Sequence, residues 1–155
     1  MYPEEFQAFE EFQSKSKSKS KNLTKTYGRL LRNRRTRKAA AAAWWKWEAA
    51  ISTLVPRPDH STPNQVESLA VIENHYFSHN AWIQPGQLLA VARRIPSSVP
   101  VIIVQGRYDL VCPATSAVAV AKAAPHAKLH LTISGHAGSD PENAKALKRA
   151  LATLH

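Results

Sequence analysis

The chain has 155 residues, enough for one domain or a small domain with an appendage, and 44% of them are hydrophobic, which excludes wholesale disorder. Its formal charge of +10 is concentrated in one stretch: between Ser14 and Lys38 there are eleven Lys or Arg and no acid, which leaves ten basic and eleven acidic residues elsewhere. A lone Cys112 excludes an internal disulfide, and the chain holds no apolar run of about 18 residues, so a membrane partner is not expected.

The N-terminal MYPEEFQAFEEF is acidic and lacks the basic-then-apolar order of a secretory signal, so the cytoplasm is the expected location. Residues 3–12 are expected to form a short amphipathic helix with Phe6, Ala8 and Phe9 on its apolar side. SKSKSKSK, residues 14–21, has like charges and nothing to bury, and is predicted to be a solvated loop. Residues 23–37 are helix-compatible, with Tyr27, Leu30 and Leu31 as apolar anchors. The tract 14–38 raises nucleic-acid binding as an alternative function. Tyr27 is its only aromatic residue, which gives base stacking little support and makes nucleic acid an unlikely partner. A solvated basic insertion is the favoured reading.

Alanines 39–43 lead into a helix on which Trp44, Trp47, Glu48, Ile51 and Val55 share a face, stopped by Pro56 and Pro58. A polar loop, DHSTPNQ, separates it from a second helix on which Val66, Leu69, Ala70, Glu73 and Phe77 share a face. Each stripe carries one glutamate among apolar residues, a costly placement unless a cation answers it. That cation is either an internal base, such as Arg29 or Arg93, or the ammonium group of a ligand. His75 and His79 are four residues apart, but no HExxH pattern surrounds them and no metal is expected.

A short helix is predicted around Leu88–Arg94, followed by a turn-rich boundary from Pro96 to Pro100. VPVIIVQG, residues 99–106, reads as a strand buried on both faces, 115–124 as a helix, 128–133 as a strand with Leu129, Leu131 and Ile133 alternating, and 141–151 as a helix opened by Pro141. This β-α-β-α order implies parallel strands with helices packed on them. Two strands are too few for an independent sheet. Asp109 follows the first strand and His136 the second. Loops at the carboxyl ends of parallel strands gather on one edge, so an acid and a base placed there can meet. The plainer alternative is a turn aspartate capping the next helix and a surface histidine.

Three segments, AWWKWEAAISTL, VIENHYF and VQGRYDLVCP, together resemble prolyl aminopeptidases, serine peptidases of the α/β-hydrolase fold. The resemblance implies a helical cap, residues 1–95, joined to the last β-α-β-α portion of an incomplete hydrolase sheet, residues 96–155. It implies release of N-terminal proline from a peptide, with Asp109 as triad acid and His136 as triad base. Glu48 and Glu73 would hold the substrate's amino group, Phe77 would line the proline pocket and Cys112 would lie near it. No cofactor is implied. The family's glycine after Trp-Glu is Ala49 here, and its Gly-His-Ser turn reads Gly135-His136-Ala137. None of the thirteen serines stands in a Gly-x-Ser-x-Gly elbow, so this chain alone is expected to be inactive. A nucleophile from upstream residues or from a completing chain, or use of the remnant as a protein-interaction module, stay open.

Overall fold

The computed structural model describes residues 3–15 and 22–154. The chain divides into two compact units, one formed by Met1–Ala50 with Pro58–Trp82 and the other by Ile51–Arg57 with Ile83–His155.

The first unit is helical: α1 (Pro3–Lys15), α2 (Leu23–Arg32), α3 (Arg37–Ser52) and α4 (Pro63–Ser78). Helix α1 runs past the expected residue 12 through Ser14 and Lys15, the first two residues of the Ser-Lys tract; the rest of that tract, 16–21, lies outside the described residues. Phe9 is its buried residue and Phe12 packs beside it, whereas Ala8 is exposed. The helix-compatible stretch 23–37 does not form one helix. Asn22 caps α2 by accepting the Lys25 N–H, and the chain turns at Asn33, whose extended backbone ends the helix. Thr36 then donates its hydroxyl to the Leu30 carbonyl, and Arg37 donates its Nε to the Leu31 carbonyl. These side chains satisfy carbonyls that the helix end leaves free.

Tyr27, Leu30 and Leu31, the expected anchors, are buried with Phe9, Ala40, Ala41, Trp44 and Ala70 in one core. Phe9 stacks on Tyr27 with centroids 4.3 Å apart, and Trp44 meets Tyr27 edge-on at 5.4 Å. Tyr27 is fully enclosed, and its hydroxyl donates to the Phe9 carbonyl at 3.0 Å. Burial pushes this phenol far above its ordinary pKa, so it stays protonated and remains a donor. Helix α3 stops at Ser52, ahead of the prolines, so Val55 lies off the helix and is 65% exposed instead of continuing the apolar stripe. Helix α4 opens on a reciprocal cap between Thr62 and Gln65 with Pro63 in its first turn. It ends in a 3-10 turn, Asn80–Trp82, whose three residues all have positive φ, which the sequence pattern did not foretell.

The second unit contains α5 (Gln87–Ala92), β1 (Ile102–Gly106), α6 (Ala114–Ala123), β2 (Lys128–Thr132) and α7 (Pro141–Ala152). Strands β1 and β2 pair in parallel from Ile102 opposite Lys128 to Gly106 opposite Thr132, and α6 and α7 pack on both. This is compatible with part of an α/β-hydrolase sheet. Residues 102–105 of β1 are only half-buried, not enclosed on both faces; Leu131 is exposed within β2, and Ile133, beyond the strand's end at Thr132, is exposed as well.

The aromatic core makes a measurable demand on the helical unit. Phe9→Ala is expected to cost about 3–5 kcal/mol in denaturant unfolding, and Tyr27→Phe about 1–2 kcal/mol through the orphaned Phe9 carbonyl. Equal and negligible effects would contradict the packing described.

Candidate active site

Parallel pairing sets the position of both candidate catalytic residues. Gly106 ends β1 opposite Thr132, and the chain beyond it continues to lean on β2: Arg107 donates its N–H to the Thr132 carbonyl, and Tyr108 donates to that of Ser134. The two loops touch so closely at Gly106 that a β-carbon there would lie 1.9 Å from the Gly135 carbonyl oxygen. Only glycine permits that approach.

Asp109 and His136 consequently meet. The His136 Nδ1 lies 3.1 Å from Oδ2 of Asp109. Asp109 is buried, and each oxygen is occupied: Oδ1 accepts the N–H groups of Val111 at 2.9 Å and Cys112 at 2.7 Å, while Oδ2 also accepts Nε2 of Gln105 at 2.9 Å. Burial alone raises the pKa of this carboxyl. The hydrogen bonds from the Cys112 N–H, the His136 ring and Gln105 outweigh it and hold the group below its ordinary range. Ionised Asp109 can only accept a hydrogen bond from Nδ1–H, which fixes the ring tautomer and leaves Nε2 as the nitrogen with the lone pair. The His136 side chain is 40% exposed and borders a pocket of about 170 Å3 that Gln105, Cys112, Gly138 and Leu147 also line. Asp109 is no helix cap, because the N-cap of α6 is Pro113 and no side chain caps that helix.

The glutamates belong to the helical unit. Glu73 is half-buried, and Nε1 of Trp44 donates to its Oε2 at 2.8 Å. An indole N–H thus supports the carboxylate, in place of the arginines considered from sequence; among the described residues Glu73 has no ion pair with a base. Phe77 stacks on Trp44 with centroids 6.0 Å apart and remains 52% exposed. Glu73 also borders a cavity of about 610 Å3, with Trp45, Leu69 and Ile72. Glu48 is half-buried on α3, and Cys112 is exposed in the loop after Asp109. No cluster of three or more metal-binding side chains occurs among the described residues, and none of their helices is long and apolar enough to cross a membrane.

Sequence reasoning missed three residues that build the site. Gln105, a polar residue ending an apolar run, bridges Asp109 and the Cys112 carbonyl. Asp140 and Asn143 hold the turn that carries His136: the Asp140 Oδ2 accepts the Gly135 N–H at 2.7 Å, and the Asn143 Nδ2 donates to the Gly135 and Ala137 carbonyls at 3.1 and 3.0 Å. Their signal was a polar residue recurring three places apart at the head of the last helix.

The depressed pKa of Asp109 has a definite sign. Its stabilisation is present above the unfolded value of about 3.9 and is lost as pH falls through the lower folded value. Asp109→Asn should therefore cost about 1.5–3 kcal/mol at neutral pH, and its thermal unfolding curve should converge on that of the parent chain in acid. Parallel pH profiles would contradict the assignment.

No family model matches the sequence. Individual relatives do. A proline iminopeptidase of Xanthomonas citri is 45% identical over 121 residues, 74% of this chain and 38% of the relative. One from Neisseria meningitidis serogroup A is 33% identical over 153 residues, 97% of this chain and 49% of the relative. A putative proline iminopeptidase of Mycoplasma pneumoniae is 34% identical over 117 residues. The chain spans less than half the length of these curated relatives. With that agreement added to the acid–base pair on the strand edge, the chain belongs to the prolyl aminopeptidase (proline iminopeptidase) family and corresponds to its C-terminal part.

Proposed function

We propose that this chain supplies the acid–base pair and the amine-binding helices of a serine aminopeptidase that releases N-terminal proline. The observation that carries the reading is the hydrogen bond from His136 to Asp109 at 3.1 Å, with Nε2 left free. Asp109 orients the imidazole and stabilises its charged form. His136 takes the proton of a serine hydroxyl as its oxygen attacks the prolyl carbonyl carbon, then delivers it to the departing amine. Water repeats the cycle to free proline. No Gly-x-Ser-x-Gly is present among these 155 residues, so the nucleophile comes from a segment or chain that completes the sheet, and this polypeptide alone is inactive.

Residues 1–95 act as the cap and 96–155 as the end of the hydrolase core. Glu48 and Glu73 receive the two N–H donors of the substrate's secondary ammonium, Phe77 lines the side of the proline ring, and Cys112 adjoins that pocket. For Glu73 the support is physical: one oxygen is held by Trp44, and the carboxylate borders an open cavity whose apolar lining includes Leu69 and Ile72. A cation entering there meets a carboxylate already oriented to receive it.

The test is reconstitution. Co-expression with the N-terminal part of the Xanthomonas citri relative, which would carry the nucleophile, should yield cleavage of a chromogenic proline amide that neither piece gives alone. His136→Ala should abolish it, and Glu73→Gln should raise KM at least about tenfold with a smaller change in kcat. A folded complex with no cleavage, or cleavage indifferent to His136, would overturn the reading.

The basic segment has a second reading. Lys25, Arg29, Arg32, Arg34, Arg35 and Lys38 are all exposed, and none is in an ion pair among the described residues. We assign them to a solvated face, since Tyr27, the aromatic residue among them, is fully buried and offers no surface for base stacking. Electrophoretic retardation of RNA should vanish at about physiological ionic strength; retardation that persists there, and is lost on deleting residues 14–21, would favour nucleic-acid binding.

A further inference from the structure

Aspartate at the start of a helix ordinarily caps it, accepting a first-turn N–H with its own carboxylate. Asp140 stands at the N-cap of α7 and makes no such bond. It is 2% exposed, and its carboxylate turns away from the helix. Oδ2 accepts two backbone N–H groups from different parts of the chain, that of Gly135 at 2.7 Å and that of Leu54 at 3.1 Å. Oδ1 makes no hydrogen bond and faces Nη2 of Arg57 at 3.4 Å. Arg57 in turn donates Nη1 to the Ser139 carbonyl at 2.7 Å.

Gly135 is the residue immediately before His136. Its N–H is taken by Asp140, its carbonyl by Asn143, and the N–H of Ala137, on the other side of the histidine, by the Ser52 carbonyl at 2.7 Å. The backbone on both sides of His136 is therefore pinned to residues 52–57, and the Asp140 side chain bonds both segments of that contact. The contact is tight enough that a β-carbon on Gly135 would come within 3.0 Å of backbone atoms of Ser52, Thr53 and Leu54. Removing a buried carboxylate here strands two N–H donors and the Arg57 guanidinium together.

We propose that Asp140, neutralised by Arg57, is the positioning residue of the catalytic base: it sets the backbone on which His136 approaches Asp109, without touching substrate. The assignment rests on the reading of His136 as that base. It goes beyond the acid–base pair by making the ring's geometry depend on a second buried carboxylate and on the segment that follows α3.

The experiment uses the full chain, labelled with 15N, and the variants Asp140→Ala and Asp140→Asn. Asparagine keeps the shape but must set an amide N–H2 against either the two N–H donors or Arg57. In the parent chain the His136 Nδ1–H is expected as a downfield proton resonance protected by Asp109. Both variants should weaken or broaden that resonance and speed exchange of the Gly135 amide about tenfold or more, while the Phe9 and Tyr27 signals keep their positions. In the reconstituted enzyme kcat should fall by about a hundredfold, with KM within a few-fold. An unchanged His136 resonance in a folded variant would overturn the proposal. If Asp140→Ala unfolds, Asp140→Asn decides alone; unfolding of both assigns Asp140 to general stability and also overturns it. Failure of reconstitution with parent chain would remove the peptidase reading but leave the resonance test intact.

Discussion

The parallel register of β1 and β2 brings Gly106 level with Thr132 and so makes one edge from two loops distant in sequence. Everything chemical in the second unit follows from that pairing. A shift by one residue would move Asp109 about 3.3 Å along the strand direction, more than its 3.1 Å bond to His136 could absorb. The glycines at the strand ends are part of the same constraint, because the loops meet backbone to backbone and leave no room for a side chain at position 106.

Buried charge is handled differently at each carboxylate. Asp109 receives four donors and is held ionised. Asp140 receives two N–H groups and one guanidinium. Glu73 has one indole N–H and an open side toward a cavity. The gradation matters for function: a fully satisfied carboxylate orients its neighbour, while one with unspent acceptor capacity can still take a ligand's donors. The helical unit supports Glu73 through the aromatic cluster, since Trp44, which holds the carboxylate, is itself fixed by Phe9 and Tyr27.

Much of this was legible from residue order. The alternation of β-branched runs with helical stretches gave the parallel pair, and positions just after each run gave Asp109 and His136. What the pattern missed were effects of side chains on helix and strand ends. Asn33 breaks a basic stretch that reads as continuous, because Thr36 and Arg37 offer the α2 carbonyls other donors. Val55 fits an apolar stripe by spacing, yet the helix ends three residues earlier. Gln105, Asp140 and Asn143 were invisible as site residues because they act through backbone groups and through Asp109, and spacing in sequence records neither. Glu73 showed its anomaly plainly; its partner, Trp44, lay among residues whose bulk suggested packing alone.

The proposed chemistry requires His136 to present its Nε2 as a free base while Nδ1 carries the proton toward Asp109. Long-range 1H–15N correlation of the histidine rings at neutral pH reads that directly. The Nδ1–H tautomer at His136, converting to the other form or to a mixture in Asp109→Asn, is the expected result. A dominant Nε2–H tautomer in the parent chain would contradict it, because a ring so protonated keeps its lone pair on Nδ1, beside Asp109, and has none at Nε2 to take a nucleophile's proton.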